Sequence, residues 1–186
     1  ENTDGVGTFE SAEAFIVNGN GVQMTLGDVD GNDDIDLVFA SSLGVGWNEN
    51  LNGRFTVPNQ QVHLVLSAPA ADPTLADLDK DGDLDLLMSI DGSRVAWYQN
   101  TDGEGAYAFA STLEFDPGMI QVHSFRVGDL DGDGNLDVVT ITSDSSAGLM
   151  GTISWHDNVD GHGDVGRGRK ILYDISAFDV ADLNED

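Results

Sequence analysis

Short apolar runs alternate with acidic, glycine-containing segments along this chain. Three runs rich in Val, Ile, Leu and Phe, at 35–40, 84–90 and 136–142, have the length and composition of β-strands. Each run directly follows an acidic segment, and another apolar run that ends in Gly or Ala precedes that segment. The pattern predicts pairs of strands joined by acidic loops, because nothing on either side of these loops has a helical period.

A tryptophan segment follows each predicted pair of strands. Trp47, Trp97 and Trp155 are the three tryptophans of the chain, and each stands three residues before an Asn that opens a turn. After the turn comes an apolar residue that would start a further strand: Phe55, Tyr107 or Val165. Each unit therefore has four predicted strands. The tryptophans could stack on sugars, but their equivalent positions favour packing between neighbouring units.

The whole arrangement repeats at intervals of 49, 52 and 53 residues. We predict the last strand of a preceding unit at 1–18, full units at 19–66, 67–117 and 118–175, and the start of another unit at 176–186. Units of about 50 residues with four antiparallel strands predict an all-β fold built of β-propeller blades. A linear β-solenoid is the alternative, although its units are usually shorter. Because the chain opens and closes inside a unit, we expect a fragment of a longer protein.

The acidic loops carry oxygen-bearing side chains at fixed positions. Positions 1, 3, 5 and 9 offer side-chain oxygens, and position 7 offers its backbone carbonyl, which suits a hard cation with flexible geometry such as Ca²⁺ better than Mg²⁺. We predict about three calcium ions. The predicted ligands are Asp28, Asp30, Asn32, Asp34 and Asp36 in the first loop, Asp77, Asp79, Asp81, Asp83 and Asp85 in the second, and Asp129, Asp131, Asp133, Asn135 and Asp137 in the third. A fourth, truncated loop offers Asp182, Asn184 and Asp186.

Two other interpretations of these loops fit less well. A solvated acidic turn explains one copy, but four carboxylates within a few ångströms repel one another by about 4 kcal/mol per close pair, and the loop recurs. An EF-hand requires flanking helices, a glycine at position 6 and a glutamate at position 12, where this chain has Phe39, Met88 or Thr140. The loops therefore predict calcium sites between strands.

The combined pattern resembles the FG-GAP/VCBS repeat family. Its features are Asp-x-Asp-Gly-x-x-Asp-x-Asp, a Gly or Ala before it, and Trp-x-x-Asn-x-Asp-Gly after it. Family members in integrin α-subunits form β-propellers, so the resemblance implies calcium in the hairpin between the first two strands of each blade. The departures are small, since Asn32 fills position 5 of the first loop, Asn135 fills position 7 of the third, and the fourth loop is truncated.

Charge and composition narrow the possible partners and location. The net charge is −27, and 17 of the 34 acidic residues lie in the four loops, so we expect repulsion from nucleic acid and anionic membranes. The chain has no cysteine, which removes disulfides and thiolate metal sites. Its four histidines occupy different positions in the units, and no nucleophile, base and orienting group can be assembled from spacing.

The sequence therefore predicts a non-catalytic, calcium-binding propeller segment of an extracellular or cell-surface protein that serves adhesion, ligand binding or assembly. Millimolar calcium outside cells would saturate such sites. The expected partner is a protein or glycan ligand, or further copies of the chain, without membrane insertion. Two alternatives stay open: part of a secreted enzyme that acts on polysaccharides or lipids, and a subunit of an extracellular filament or surface layer.

Overall fold

The computed structural model describes residues 20, 22–51, 69–113, 119–144, 151–163, 165–166 and 168–173. These residues form β-strands and turns, with no helix among them. Accordingly, this part of the chain contains no helix that is long and apolar enough to cross a membrane. The strands are β1 (Gln23–Gly27), β2 (Asp36–Ser41), β3 (Gly44–Asn48), β4 (Ala70–Ala76), β5 (Asp85–Ile90), β6 (Arg94–Asn100), β7 (Tyr107–Thr112), β8 (Met119–Gly128), β9 (Asp137–Asp144), β10 (Gly151–His156) and β11 (Arg169–Tyr173).

The strands form three antiparallel sheets, each built from neighbours in sequence. The first sheet has the order β1-β2-β3, the second β4-β5-β6-β7 and the third β8-β9-β10-β11. The first strands of successive sheets lie side by side, with β1 against β4 and β4 against β8. The chain therefore completes one sheet before it starts the next.

The hydrophobic core lies in the seams between successive sheets. One cluster joins the first and second sheets and includes Val38, Trp47 and Met88. A second cluster joins the second and third sheets and includes Leu87 and Phe125, which are fully buried. Alternate residues of β5 point to opposite faces of the sheet, so this strand supplies both clusters. All six of its residues are buried, which explains why it reads as a continuous apolar run.

The predicted strands agree closely with the structure. The runs at 35–40, 84–90 and 136–142 correspond to β2, β5 and β9, with ends that differ by at most two residues. The strands of the three sheets fall inside the units 19–66, 67–117 and 118–175, whose boundaries stay predictions. The expected fourth strand of the first sheet, and the segments 1–18 and 176–186, lie outside the described residues.

One predicted strand begins later than expected. The apolar residue after the third turn, Val165, is not in a strand, because its N–H donates to the carbonyl of Gly163 at 2.9 Å in a tight turn. Its side chain is buried in the second core cluster. The fourth strand of that sheet, β11, starts at Arg169.

Candidate metal centres

Each acidic loop joins the first strand of a sheet to the second. We call them loop A (28–36), loop B (77–85) and loop C (129–137), and number their residues 1 to 9. In each sheet the residue before the loop pairs with residue 9 across the hairpin: Gly27 with Asp36, Ala76 with Asp85, and Gly128 with Asp137. The sheets therefore hold the ends of all three loops in the same register.

Residues 4 and 6 of every loop have backbone φ angles in the left-handed region. Asp33 and Lys80 adopt φ of 69° and 60°. The other four of these positions are glycines with φ from 70° to 99°: Gly31, Gly82, Gly132 and Gly134. Glycine adopts this conformation without a Cβ clash, so its recurrence at positions 4 and 6 follows from the path of the loop.

The residue at position 1 folds the loop around its carboxylate. Asp28 accepts hydrogen bonds from the N–H groups of Asn32 at 3.0 Å and Asp33 at 2.9 Å. In loop C, Asp129 accepts from Gly132 at 2.8 Å and Gly134 at 2.9 Å. Loop B keeps one such bond, from Gly82 to Asp77 at 3.1 Å.

Position 5 forms a second local turn in all three loops. Its side-chain oxygen accepts the N–H of residue 7, at 2.7 Å in loop A, 3.0 Å in loop B and 2.8 Å in loop C. Asn32 fills this role as well as Asp81 or Asp133 does, because the turn requires only one acceptor oxygen. The amide in loop A therefore preserves the loop geometry.

Three carboxylates converge in each loop. In every group, one carboxylate oxygen from each residue lies within 4.8 Å of the others. At an effective dielectric constant near 20, two unit charges at such a distance repel by about 3 kcal/mol. The groups are Asp28, Asp30 and Asp36 in loop A, Asp77, Asp79 and Asp81 in loop B, and Asp129, Asp131 and Asp137 in loop C. A cation between the carboxylates would remove this repulsion.

The aspartate at position 9 is almost completely buried and joins two chain segments to its loop. In loop A, Asp36 accepts the N–H of Val29 at 2.9 Å and the N–H of Asn50 at 2.8 Å. The same two bonds, in the same order, measure 3.2 and 2.9 Å in loop B. They measure 3.1 and 2.9 Å in loop C. In loop B, Asp85 also accepts the indole N–H of Trp97 at 3.0 Å, and it lies outside the three-carboxylate group.

Burial disfavours the ionised form of several loop carboxylates. Burial raises the pKa of Asp36 above its usual value and raises the pKa of Asp85 to about 6, against the opposing effect of their backbone hydrogen bonds. Burial also raises the pKa of Asp79, and the neighbouring charge of Asp81 adds to the rise. A cation held in the loop would act in the opposite direction, because it favours the ionised carboxylate.

The side chain at position 7 lies beside a glycine of a neighbouring turn in loops B and C. A Cβ placed on Gly103 would lie 2.8 Å from the carboxylate oxygens of Asp83, and one on Gly161 would lie 2.5 Å from Asn135 Oδ1. These side chains therefore pack against the turn after the third strand, and Asn135 Nδ2 also donates to Asp133 Oδ2 within loop C at 2.8 Å. The truncated fourth loop, with Asp182, Asn184 and Asp186, lies outside the described residues.

The donor set fits a calcium ion. All candidate ligands are oxygens, and apart from Asp85 Oδ2, which accepts from both Leu78 and Trp97, the accepting carboxylate oxygens keep a lone pair beyond their N–H partner. Asp30 Oδ1 and Asp77 Oδ1 are buried with no hydrogen-bond partner among the described residues. Buried acceptors normally have a partner, and a cation would provide one here.

The sequence of these loops and sheets matches a known family. The model of the FG-GAP-like repeat matches residues 28–88 and again residues 77–140, so each match covers two successive acidic loops. The chain belongs to the FG-GAP-like repeat family. No curated protein matches the chain significantly.

A solved structure shares the fold of this FG-GAP-like repeat chain. It is a lectin from Agrocybe aegerita that specifically recognises non-reducing terminal N-acetylglucosamine, and it superposes with a TM-score of 0.54 at 20% sequence identity. The match covers 81% of this chain but only 39% of the lectin chain. The likeness therefore concerns fold, over less than half of the lectin.

Two of the acidic loops in this FG-GAP-like repeat chain, loops A and B, are also tied to the following sheet. Asn100, at the end of β6, donates its Nδ2–H to the carbonyl of Val29 in loop A at 3.0 Å. Asn158, after β10, donates in the same way to Leu78 in loop B at 2.9 Å. Both asparagines are fully buried, so these bonds cross the seams at the level of the loops.

The same asparagines hold glycines against the tryptophans of the preceding repeat. Asn100 Oδ1 accepts the N–H of Gly105 at 3.1 Å, and a Cβ on Gly105 would lie 2.6 Å from the Trp47 ring. Gly163 is held equivalently by Asn158, and its Cβ would lie 2.4 Å from Trp97. Packing between neighbouring repeats, expected from the sequence for the tryptophans, is confirmed for these two.

Sequence reasoning recognised the asparagine as part of a turn and missed its bond to the preceding repeat. A signal was present in the spacing, because Asn-x-Asp-Gly-x-Gly occurs at 100–105 and at 158–163. The last glycine of this motif has a left-handed φ, 84° in Gly105 and 75° in Gly163. It also leaves room for the tryptophan that packs on it.

Proposed function

We propose that this chain is a calcium-binding β-propeller segment of an extracellular protein, in which each sheet is one blade and the segment serves ligand binding or adhesion without catalysis. The recurrence of one hydrogen-bonded loop with three converging carboxylates carries this proposal. An acidic turn with no ligand would not need the same buried Asp and the same left-handed positions in each copy. Repetition of the complete arrangement supports a shared task for the loops.

The packing of the sheets supports the propeller. Propeller blades are four-stranded antiparallel sheets that pack face to face around an axis, with their first strands innermost. Here the hydrophobic core is buried in the seams between successive sheets. The first strand of the second sheet, β4, lies beside both β1 and β8. The shared fold with a chain more than twice as long fits a propeller of which this segment supplies part.

Calcium would have a structural role in this proposal. Side-chain oxygens at positions 1, 3, 5 and 9 and the carbonyl at position 7 would hold the ion, which would neutralise the mutual repulsion of the carboxylates. The residues of the chain then keep position 9 buried and the loop closed, so that the Asn bonds across the seams persist. A site with a Kd of ~10 μM in ~1 mM calcium would gain roughly 2.7 kcal/mol by mass action, which favours an extracellular location.

Calorimetric titration of the chelator-treated 186-residue chain tests the proposal. We expect about three calcium ions to bind. Magnesium should bind more weakly, because it suits a loose oxygen site less well. Replacing the third position of one loop, as in Asp30→Asn, removes a charged ligand and should weaken calcium binding at that loop at least tenfold, with the other two loops unchanged. Glu104→Gln is the matched control, because this exposed residue loses the same charge outside the loops.

Two results would reject the calcium sites. One is the absence of binding at millimolar calcium in a chain whose circular dichroism shows folded β-structure. The other is an equal weakening of calcium binding in Asp30→Asn and Glu104→Gln, which would indicate a general effect of charge.

A glycan is the ligand class that one observation favours. The solved structure with the shared fold is a lectin, and we propose by analogy that this chain binds carbohydrate. At 20% identity the analogy extends to ligand class only, so it names no particular sugar.

A further inference from the structure

An open cleft lies at the ends of the sheets opposite the metal loops. Its volume is about 430 Å³, and it is lined by residues from the start of β4 and from β1, β5 and β8. Loop B follows the end of β4, whereas the cleft includes residues 69–72 at its beginning. Its polar lining residues are Gln23, Asp72, Ser89, His123, Ser124 and Arg126. Three sheets therefore contribute to one polar cavity that has no part in the metal loops.

Asp72 is the distinctive residue of the cleft. It lies in an irregularity of β4 between Ala71 and Thr74, with a left-handed φ of 56° that a non-glycine residue seldom adopts. Its N–H donates to Gln23 Oε1 at 2.6 Å, which ties the strained segment to β1. Strained residues of this kind concentrate at functional sites.

The carboxylate of Asp72 has an unused acceptor. Asp72 Oδ2 is buried with no hydrogen-bond partner among the described residues. Leaving a buried acceptor unpaired is unfavourable, and a ligand with an O–H or N–H donor in the cleft would satisfy it. The cleft therefore combines backbone strain and an unpaired acceptor at the same residue.

The charged residues of the cleft indicate the charge of the ligand. Arg126 and His123 line the same cleft with N–H groups, and Ser89 and Ser124 line it with hydroxyls. Arg126 Nη1 donates to the carbonyl of Phe125 at 2.7 Å and Ser89 Oγ donates to the carbonyl of Ala71 at 3.2 Å, so a ligand would use the remaining N–H groups of Arg126 and the lone pairs of Ser89. An anionic ligand would be repelled by Asp72 and by the net charge of −27. A cationic ligand would be repelled by Arg126. A neutral ligand that both donates and accepts hydrogen bonds avoids both conflicts.

We propose that this cleft binds a neutral carbohydrate residue, with Asp72 accepting hydrogen bonds from ring hydroxyls and Arg126 donating to hydroxyl oxygens. The volume falls in the range of small-molecule sites, about 300–1,000 Å³. The inference deepens the proposed function, on which it rests for its ligand class, by assigning the residues that contact the ligand. Calcium has no direct contact with the sugar in this assignment.

Isothermal titration and saturation-transfer NMR on the 186-residue chain in calcium test the assignment. The probes are the methyl glycosides of N-acetylglucosamine, galactose and mannose, with glucuronic acid as the anionic probe and glucosamine as the cationic one. We expect at least one neutral glycoside to bind, and Asp72→Asn to weaken it at least tenfold. His123→Ala, at an exposed position, should weaken it severalfold with little effect on folding. Glu104→Gln, which removes the same charge outside the cleft, should bind as the parent does.

Several results would overturn the assignment. These are no binding of any neutral glycoside, binding of only the anionic or the cationic probe, and neutral-sugar binding that Asp72→Asn and His123→Ala leave unchanged. Circular dichroism of each variant identifies a loss caused by misfolding, in which case His123→Ala decides. Calcium binding without sugar binding would reject the cleft alone. Sugar binding that these variants abolish, without calcium binding, would reject the calcium sites alone.

Discussion

A single buried aspartate ends each metal loop and fixes what surrounds it. Asp36, Asp85 and Asp137 each accept one N–H from their own loop and one from the Asn that follows the tryptophan strand. The residue thus links the loop to the third strand of its sheet. In Asp36 and Asp137 each oxygen retains a lone pair, so the same carboxylate can also contact a cation, whereas in Asp85 only Oδ1 retains one, because Oδ2 also accepts the indole N–H of Trp97.

Another buried titratable residue, His156 in β10, should make stability depend on pH. Its Nδ1 lies 3.2 Å from the carbonyl of Gly166, so this nitrogen carries the proton, and its Nε2 lies 3.2 Å from Thr140 Oγ1 and accepts. Burial lowers its pKa to about 4 from the ordinary value of 6.5. The folded state therefore keeps the neutral imidazole at pH values where the unfolded chain is already protonated.

We expect the contribution of His156 to be present above pH 6.5 and to be lost as the pH falls toward 4. About 3 kcal/mol of unfolding free energy should disappear across that window. Denaturant unfolding of the parent and of His156→Gln measures it, since glutamine offers a donor and an acceptor but does not titrate. The loop carboxylates titrate in both proteins and cancel in the difference. A pH-independent difference between the two proteins would contradict the prediction.

The structural unit at the next scale is a pair of sheets with the seam between them. Each described seam combines a tryptophan of one sheet, a glycine of the next and an Asn that bonds to the preceding metal loop. The apolar residue at loop position 2, Val29 or Leu78, is buried in the same seam. Loop closure and sheet packing are therefore coupled through shared residues.

Replacing a glycine in a seam should lower the free energy of unfolding more than replacing an exposed glycine that also has a left-handed φ. Gly105 has φ of 84° and would place a Cβ 2.6 Å from Trp47, whereas Gly92 has φ of 63° and open space around it. Gly92→Ala should cost about 1 kcal/mol for the backbone. Gly105→Ala should cost about 1–3 kcal/mol more, because the seam must also accommodate an overpacked methyl group. Thermal unfolding of the two variants measures both losses of stability. Equal losses would contradict tight packing of Gly105 in the seam.

At the scale of the whole molecule, the acidic charge opposes compactness. The net charge is −27, and the converging carboxylates place part of it at short range inside the loops. Self-repulsion of this size destabilises a folded chain, and salt screens exposed charges over about 10 Å at 0.1 M. Calcium in the loops would reduce the same repulsion from within.

Salt and calcium should therefore substitute for one another in part. In chelator, raising sodium chloride from about 0.05 M to about 0.5 M should raise the melting temperature by several degrees, because screening lowers the repulsion. In millimolar calcium the same salt change should have a smaller effect. Scanning calorimetry of the four conditions measures this. A salt effect that is equal with and without calcium would show that the loop charges contribute little.

The sequence by itself determined what repeats locally. Turn glycines, short apolar runs and the acidic spacing act over a few residues, so they were sufficient to predict the strands after each loop and the wider sets of residues that contain the converging carboxylates. The tryptophan and its turn were also recognised in each unit. These features depend on backbone sterics and side-chain chemistry that operate within one hairpin.

Only the tertiary structure decided what crosses from one repeat to the next. The bond from Asn100 to Val29 joins residues 71 apart, and the bond from Asn158 to Leu78 joins residues 80 apart, so no local pattern specifies them. The cleft around Asp72 likewise needs β1, β4 and β8 side by side. The tertiary structure also decided which carboxylate of each loop is buried. The Asp-x-Asp spacing is the same along the loop, but the aspartate at position 9 points inward and is buried, whereas other carboxylates of the loop are solvated.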